Sequence, residues 1–211
     1  MGSLLGYTDV TAMFESAAGK VGANIKELSA LDSAIGDGDH GTTMERALGA
    51  IRKAISESDS TSLKSLLYNI GWEVMCIDGG CTGPLLGSLF MGMSESVADV
   101  DELDCNALAT MFESGLVGIQ KQSKAIMGDK TMMDALEPAV AALREACNSG
   151  KTIEEALSDS ADSAEKGAIA TKDYVAHFGR AKNLGERTLG CQDPGATTIS
   201  LLFRGFAEAI S

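Results

Sequence analysis

Apolar residues return at spacings of three and four through most of this chain, which is the period of an amphipathic α-helix. Val10, Met13, Phe14, Ala17, Val21, Ile25 and Leu28 trace one such face. Met44, Ala47, Leu48, Ile51 and Ile55 trace a second, and Leu63, Leu66, Leu67, Ile70 and Val74 a third. Residues 84–98 are almost all apolar or small, as in a helix buried on most sides. Segments 108–119, 132–146, 153–169 and 196–210 repeat the pattern. The three prolines (Pro84, Pro138 and Pro194) leave room for long helices, and the alternating β-branched runs of strands are scarce. An all-α fold of about eight helices is therefore expected, with short connections making neighbours antiparallel in a bundle or barrel. Asp32, Thr61, Asp104, Thr152 and Asp193 stand where a helix start or a turn can use a capping oxygen. With no linker, charge block or internal repeat to divide it, 1–211 reads as one domain.

Charge narrows the function classes. Asp and Glu number 30 against 17 Lys and Arg, a net charge of −13, which argues against nucleic acid or an anionic membrane as partner. An acidic chain that held a nucleotide would need cations or backbone amides at the phosphates. The chain has no run of about 18 apolar residues, so no membrane span is expected. Met1 to Gly6 lacks the basic and apolar regions of a secretory signal. Cys76, Cys81, Cys105, Cys147 and Cys191 contain no CxxC pair and are odd in number, so all five are expected as reduced thiols in a cytosol, without a disulfide or zinc site.

The densest chemistry lies in Leu31 to Met44, LDSAIGDGDHGTTM. Asp32, Asp37 and Asp39 are separated by glycines that let the backbone turn tightly, so that three carboxylates can face one centre. Packed like charges call for a cation, and an all-oxygen set suits Mg²⁺, which shares its shell with phosphate oxygens. His40-Gly41-Thr42-Thr43 then opens a helix whose first-turn amides can face an anion. A plain turn rich in Asp and Gly is the alternative; an EF-hand loop fails on ligand spacing and on the missing terminal Glu. His40 reads as a phosphate donor or a satisfied loop side chain, and His177 as a structural residue in a helical pattern beside Phe178.

Three further glycine-rich turns precede helices. Gly79 to Pro84 can form a nest of amides with Thr82 as an extra partner, or serve as a helix cap. Gly128-Asp129-Lys130-Thr131-Met132-Met133-Asp134 ends like a P-loop but lacks its upstream glycine and strand, so a Walker-type site is rejected. Met132 and Met133 suit a core, although a thioether can also pack on a purine. Residues 179–196 form a long glycine-bearing loop in which Arg180 can fork onto a phosphate or pair with the acidic surface.

Taken in order, LDSAIGDGDHGTTM, GGCTGPLLG, GDKTMMD and GRAKNLGERTLGCQDPGA resemble the ADP-binding L subunits of bacterial dihydroxyacetone kinases, over nearly the whole chain. The resemblance implies a closed barrel of eight amphipathic helices with the nucleotide, ADP or ATP, at one rim. It implies that Asp32, Asp37 and Asp39 hold two Mg²⁺ ions. It also implies that His40, Gly41, Thr42, Thr43, Cys81, Thr82, Met132, Arg180, Asp193, Pro194 and Gly195 contact the nucleotide, with Arg180 and His40 nearest the chemistry. The ketose would sit on a separate K-type subunit, with an M-type phosphocarrier and a homodimer as further associations and the cytoplasm as location. Thr43, Cys81 and Cys191 replace the commoner Asn, Ala and His. These departures leave open whether ADP stays bound and is rephosphorylated or exchanges with ATP. The ketose is open too, and a nucleotide-sensing regulatory module is the alternative function. His40 favours the ketose group over related fatty-acid kinases, whose motif reads Asp-Gly-Asp-Thr-Gly.

Overall fold

Helix boundaries follow the caps. Asp104, Thr152 and Asp193 each accept a first-turn amide of the helix they precede, from Ala107 (2.7 Å), Glu155 (3.2 Å) and Ala196 (2.7 Å). Ser62 rather than Thr61 caps its helix, accepting from Ser65 at 3.4 Å. Asp32 lies in the last turn of one helix and accepts the His40 amide that opens the next, at 3.0 Å. A computed structural model describes residues 4–97 and 100–211; Met1 to Ser3 and position 98, on which two of the sequence readings touch, lie outside the described residues.

Among the described residues there are nine α-helices: α1 (Tyr7–Ala23), α2 (Ile25–Ile35), α3 (His40–Ser56), α4 (Leu63–Met75), α5 (Thr82–Glu95), α6 (Cys105–Gln122), α7 (Met133–Asn148), α8 (Ile153–Ala170) and α9 (Pro194–Ala209). The 10–28 stretch that reads as one helical face is broken at Asn24, whose amide side chain donates to the Lys20 carbonyl at 2.8 Å and ends α1. The 179–196 loop contains 3₁₀ turns over Ala181–Thr188, interrupted at Gly185.

Each helix from α3 to α9 packs on the next, α9 packs on α1, and α1 packs on α3, so the order of neighbours returns on itself. The α2 helix lies against α3 and α9. Phe14, Phe90, Phe112, Phe203 and Phe206, from α1, α5, α6 and α9, fill the middle with ring centroids 5.1–5.8 Å apart. Leu5 and Leu103 exchange backbone hydrogen bonds of 2.9 and 2.8 Å, which tie the start of the chain to the α5–α6 connection.

One expectation fails. Cys105 and Cys147 form a disulfide, with Cα atoms 5.4 Å apart, across a sequence separation of 42. Cys105 opens α6 and Cys147 lies in the last turn of α7, and packing of these successive helices brings the two ends together. No local spacing announces such a pair. Cys76, Cys81 and Cys191 are free.

Candidate nucleotide and metal site

The N-terminal ends of α3, α5, α7 and α9 and the C-terminal ends of α2 and α6 meet around one cavity of about 520 Å³. That volume suits a small organic ligand. Four converging N-termini bring unpaired amides and partial positive charge, which favours an anion there. Ile35, Leu85, Ile119, Ala125 and Met132 supply an apolar wall.

The acidic cluster sits at the α2–α3 corner. The chain turns at Gly36-Asp37-Gly38-Asp39, where Gly38 has φ +79° and a Cβ would lie 2.6 Å from the Ser33 hydroxyl, so only glycine fits. Asp32, on the last turn of α2, accepts the His40 backbone N–H at 3.0 Å and so closes the corner. One oxygen from each of Asp32, Asp37 and Asp39 lies within 4.8 Å of the others. This hard, all-carboxylate set fits a magnesium-type cation. Arg180 reaches across from the 179–190 loop and pairs with Asp37 and, at 3.3 Å, with Asp39.

Asp32, Asp39, His40, Cys81, Thr82, Met132, Arg180, Asp193, Pro194 and Gly195 line the cavity; Asp37 stands at its lip, and Gly41, Thr42 and Thr43 do not line it. Thr43 is buried against the neighbouring glycine turn: a Cβ on Gly79 (φ +131°) would lie 2.4 Å from its hydroxyl. The His40 ring is buried with Nε2 2.8 Å from the Thr198 hydroxyl, which joins α3 to α9. Burial pushes the His40 pKa below its ordinary value, outweighing the pull of Asp32 and Asp39, so the ring is neutral at pH 7.

Asp193 begins α9 and accepts the Ala196 N–H. Burial raises its carboxyl to about 7; Asp134 pushes the same way, while the Ala196 amide and Lys130 pull down. The α7 turn is organised by Asp134, which accepts the Gly128 and Thr131 amides at 2.5 and 2.7 Å. Lys130 in that turn is 2% exposed and donates to the carbonyls of Thr171 and Cys191. His177 is not helical. It precedes the cavity-lining Phe178 in an exposed stretch, its Nδ1 2.8 Å from an Asp129 carboxylate oxygen and its N–H donating to the Asp129 carbonyl at 3.1 Å. Asp129 also accepts the Ile126 amide at 2.9 Å, so the Ile126–Asp129 turn and the 177–180 stretch are held together.

Several lining residues carry no sequence signal. Gln122, Ser123 and Lys124 end α6 in an ordinary helix terminus, and Leu85 and Ile119 read as core. Lys130 was readable only as part of a turn that fails the P-loop pattern; its burial is a tertiary fact.

The sequence profile of the DAK2 domain matches residues 34–208. The chain belongs to the DAK2-domain family. Among the family's curated members, the ADP-binding subunit DhaL of PEP-dependent dihydroxyacetone kinase 1 from Listeria innocua is 40% identical over 189 residues, 90% of this chain and 89% of the relative. The corresponding DhaL of Escherichia coli K12 is 34% identical over 182 residues, 86% of this chain and 87% of the relative. D-erythrulose kinase of Mycolicibacterium smegmatis is 30% identical over 204 residues, but this chain spans only 35% of it. The crystal structure of the dihydroxyacetone kinase of C. freundii superposes with a TM-score of 0.74 at 26% identity, covering 94% of this chain and 34% of that one. The all-α fold thus matches about one third of that kinase chain.

Proposed function

We propose that this DAK2 chain is the nucleotide-binding subunit of a kinase for dihydroxyacetone or another short ketose, presenting ADP or ATP with Mg²⁺ to an acceptor held on a separate K-type subunit. One observation carries the reading: three carboxylates within 4.8 Å of one another stand at the edge of a cavity ringed by helix N-termini. The names of the Listeria and Escherichia relatives, covered nearly end to end, agree with it.

In this reading residues 1–211 act as one domain. Asp32, Asp37 and Asp39 hold two Mg²⁺ ions, whose charge, when bound, offsets that of the phosphates. In the first turn of α3 the His40 and Thr43 amides are held by Asp32 and the Asp39 carbonyl, which leaves those of Gly41 and Thr42, with the Cys81–Thr82 turn, to face the phosphates. Met132 and the apolar wall take the base, and Asp193, Pro194 and Gly195 close the side. Arg180, already aimed at the carboxylates, is free to swing onto the transferring phosphoryl group. His40, neutral and tied to Thr198, positions the α3 amides beside the reacting phosphate. Positioning and electrostatics carry phosphoryl transfer, so no covalent intermediate on this chain is needed. The K-type subunit approaches the mouth, where Ile126 and Met127, 64% and 52% exposed, follow the cavity-lining Ala125. An M-type phosphocarrier would recharge ADP, and the cytoplasm is the proposed location.

The test is turnover. Purified chain is mixed with ATP, Mg²⁺ and dihydroxyacetone or erythrulose, with and without a cognate K-type subunit, and with a phosphocarrier system in place of ATP. Phosphorylated ketose formed only with the K-type subunit is the expected result. Nucleotide binding without turnover in any combination would instead favour a sensing module.

A further inference from the structure

We infer that Lys130 is a positioning residue of the nucleotide site, the brace that sets its two facing walls at a fixed distance; this rests on the cavity being the nucleotide site. Three observations lead there. First, Lys130 is 2% exposed yet lines the cavity. An ammonium group is costly to bury and persists where specific acceptors hold it. Second, its Nζ donates to the Thr171 carbonyl and to the Cys191 carbonyl, both at 2.5 Å, on two segments 20 residues apart in sequence. Third, its backbone has φ +60°, the one left-handed non-glycine residue among those described. Such a conformation costs energy and persists where its surroundings over-determine it.

The bonds form a closed path. Asp134 holds the Gly128–Thr131 turn from one side through two amides. Lys130 carries that turn to Thr171 and Cys191. The Thr171 hydroxyl accepts the Asp193 N–H at 2.9 Å, and Asp193 caps α9. The walls this path joins, Met132 on one side and Asp193 to Gly195 on the other, come close enough that a Cβ on Gly195 would lie 3.5 Å from Met132. Burial pulls the Lys130 pKa below the ordinary lysine value, and the nearby acidic groups, Asp193 foremost, oppose that pull only in part. Without that side chain the Cys191 and Thr171 carbonyls lose their common donor, and the 191–195 wall is released from the α7 turn.

The experiment is titration calorimetry of ADP with Mg²⁺ on wild type, Lys130→Met and Thr171→Val. Thr171→Val keeps both carbonyl acceptors and removes the hydroxyl that receives the Asp193 N–H. Measurements are made well below each variant's melting temperature, so misfolded protein lowers the fitted stoichiometry while a displaced wall raises Kd. Lys130→Met should raise Kd roughly 10–100-fold at unchanged stoichiometry, the size of effect seen when a supporting residue is lost. Thr171→Val should move Kd the same way by a smaller factor. Wild-type Kd in Lys130→Met, or lowered stoichiometry at wild-type Kd, overturns the inference. If Lys130→Met does not fold, Thr171→Val decides: wild-type Kd there overturns it equally. Wild type that binds no Mg-ADP defeats the nucleotide reading itself, an outcome distinct from a tight-binding wild type with indifferent variants.

Discussion

Asp193 titrates where proteins are handled. Its carboxyl ionises near 3.8 in an unfolded chain and near 7 in the fold, so the folded state holds the proton more tightly. Between those values the native state binds more protons than the unfolded one, and stability contributed by this group falls as pH rises from about 4 to about 7, then levels. Asp193→Asn, which keeps an N-capping oxygen but cannot ionise, should flatten that slope and be the more stable form at pH 8. Urea unfolding of both proteins across that pH range checks it; parallel curves would remove Asp193 as the cause. Ile126→Asp, exposed beside the mouth and outside the cavity lining, should weaken turnover with a K-type subunit while leaving nucleotide Kd within about twofold, because an interface charge acts on docking. Equal loss of nucleotide affinity would put Ile126 in the nucleotide site instead. At this scale the sequence shows the acidic trio because interleaved glycines imply convergence before any fold is known. It does not show the Arg180 pairing with Asp37 and Asp39, or the burial of Lys130, because each depends on segments far apart in the chain.

Helices approach one another closely at glycines. A Cβ at Gly205 of α9 would lie 2.4 Å from the Ala17 Cα of α1, and one at Gly118 of α6 would lie 2.3 Å from the Ser88 carbonyl of α5. These are backbone contacts that no rotamer change relieves. Gly205→Ala and Gly118→Ala should each cost about 1–3 kcal/mol through forced separation of the helix pair. Lower urea midpoints with unchanged slopes are expected, and midpoints equal to wild type would contradict it. Helix existence was legible from the apolar period, and the starts of α6, α8 and α9 from their capping residues. The break at Asn24 was not, since Ile25 and Leu28 continue the apolar period of α1 across it. Ser62 took the cap from Thr61 because two adjacent hydroxyl residues offer the same local chemistry.

The whole molecule is a ring of neighbours with its chemistry at one rim, where α3, α5, α7 and α9 all begin, and a covalent tie between α6 and α7. Cys105→Ser should destabilise the oxidised protein by up to about 4 kcal/mol, the chain-entropy value for a loop of this length. Alkylation under denaturing conditions should label three cysteines before reduction and five after; five labelled without reduction would mean that the bond does not form. The all-α class was legible because periodicity and short connections leave few alternatives; the disulfide was not, because helix packing rather than spacing brings its halves together. The central claim is that an acidic molecule admits a polyphosphate by way of Asp32, Asp37 and Asp39. Calorimetric titration of ADP into the protein with Mg²⁺, with EDTA, and into Asp37→Asn with Mg²⁺ tests it most directly. Saturable one-site binding in the first case and its loss in the other two, with helical circular dichroism unchanged, is the expected result; equal affinity in all three would contradict it.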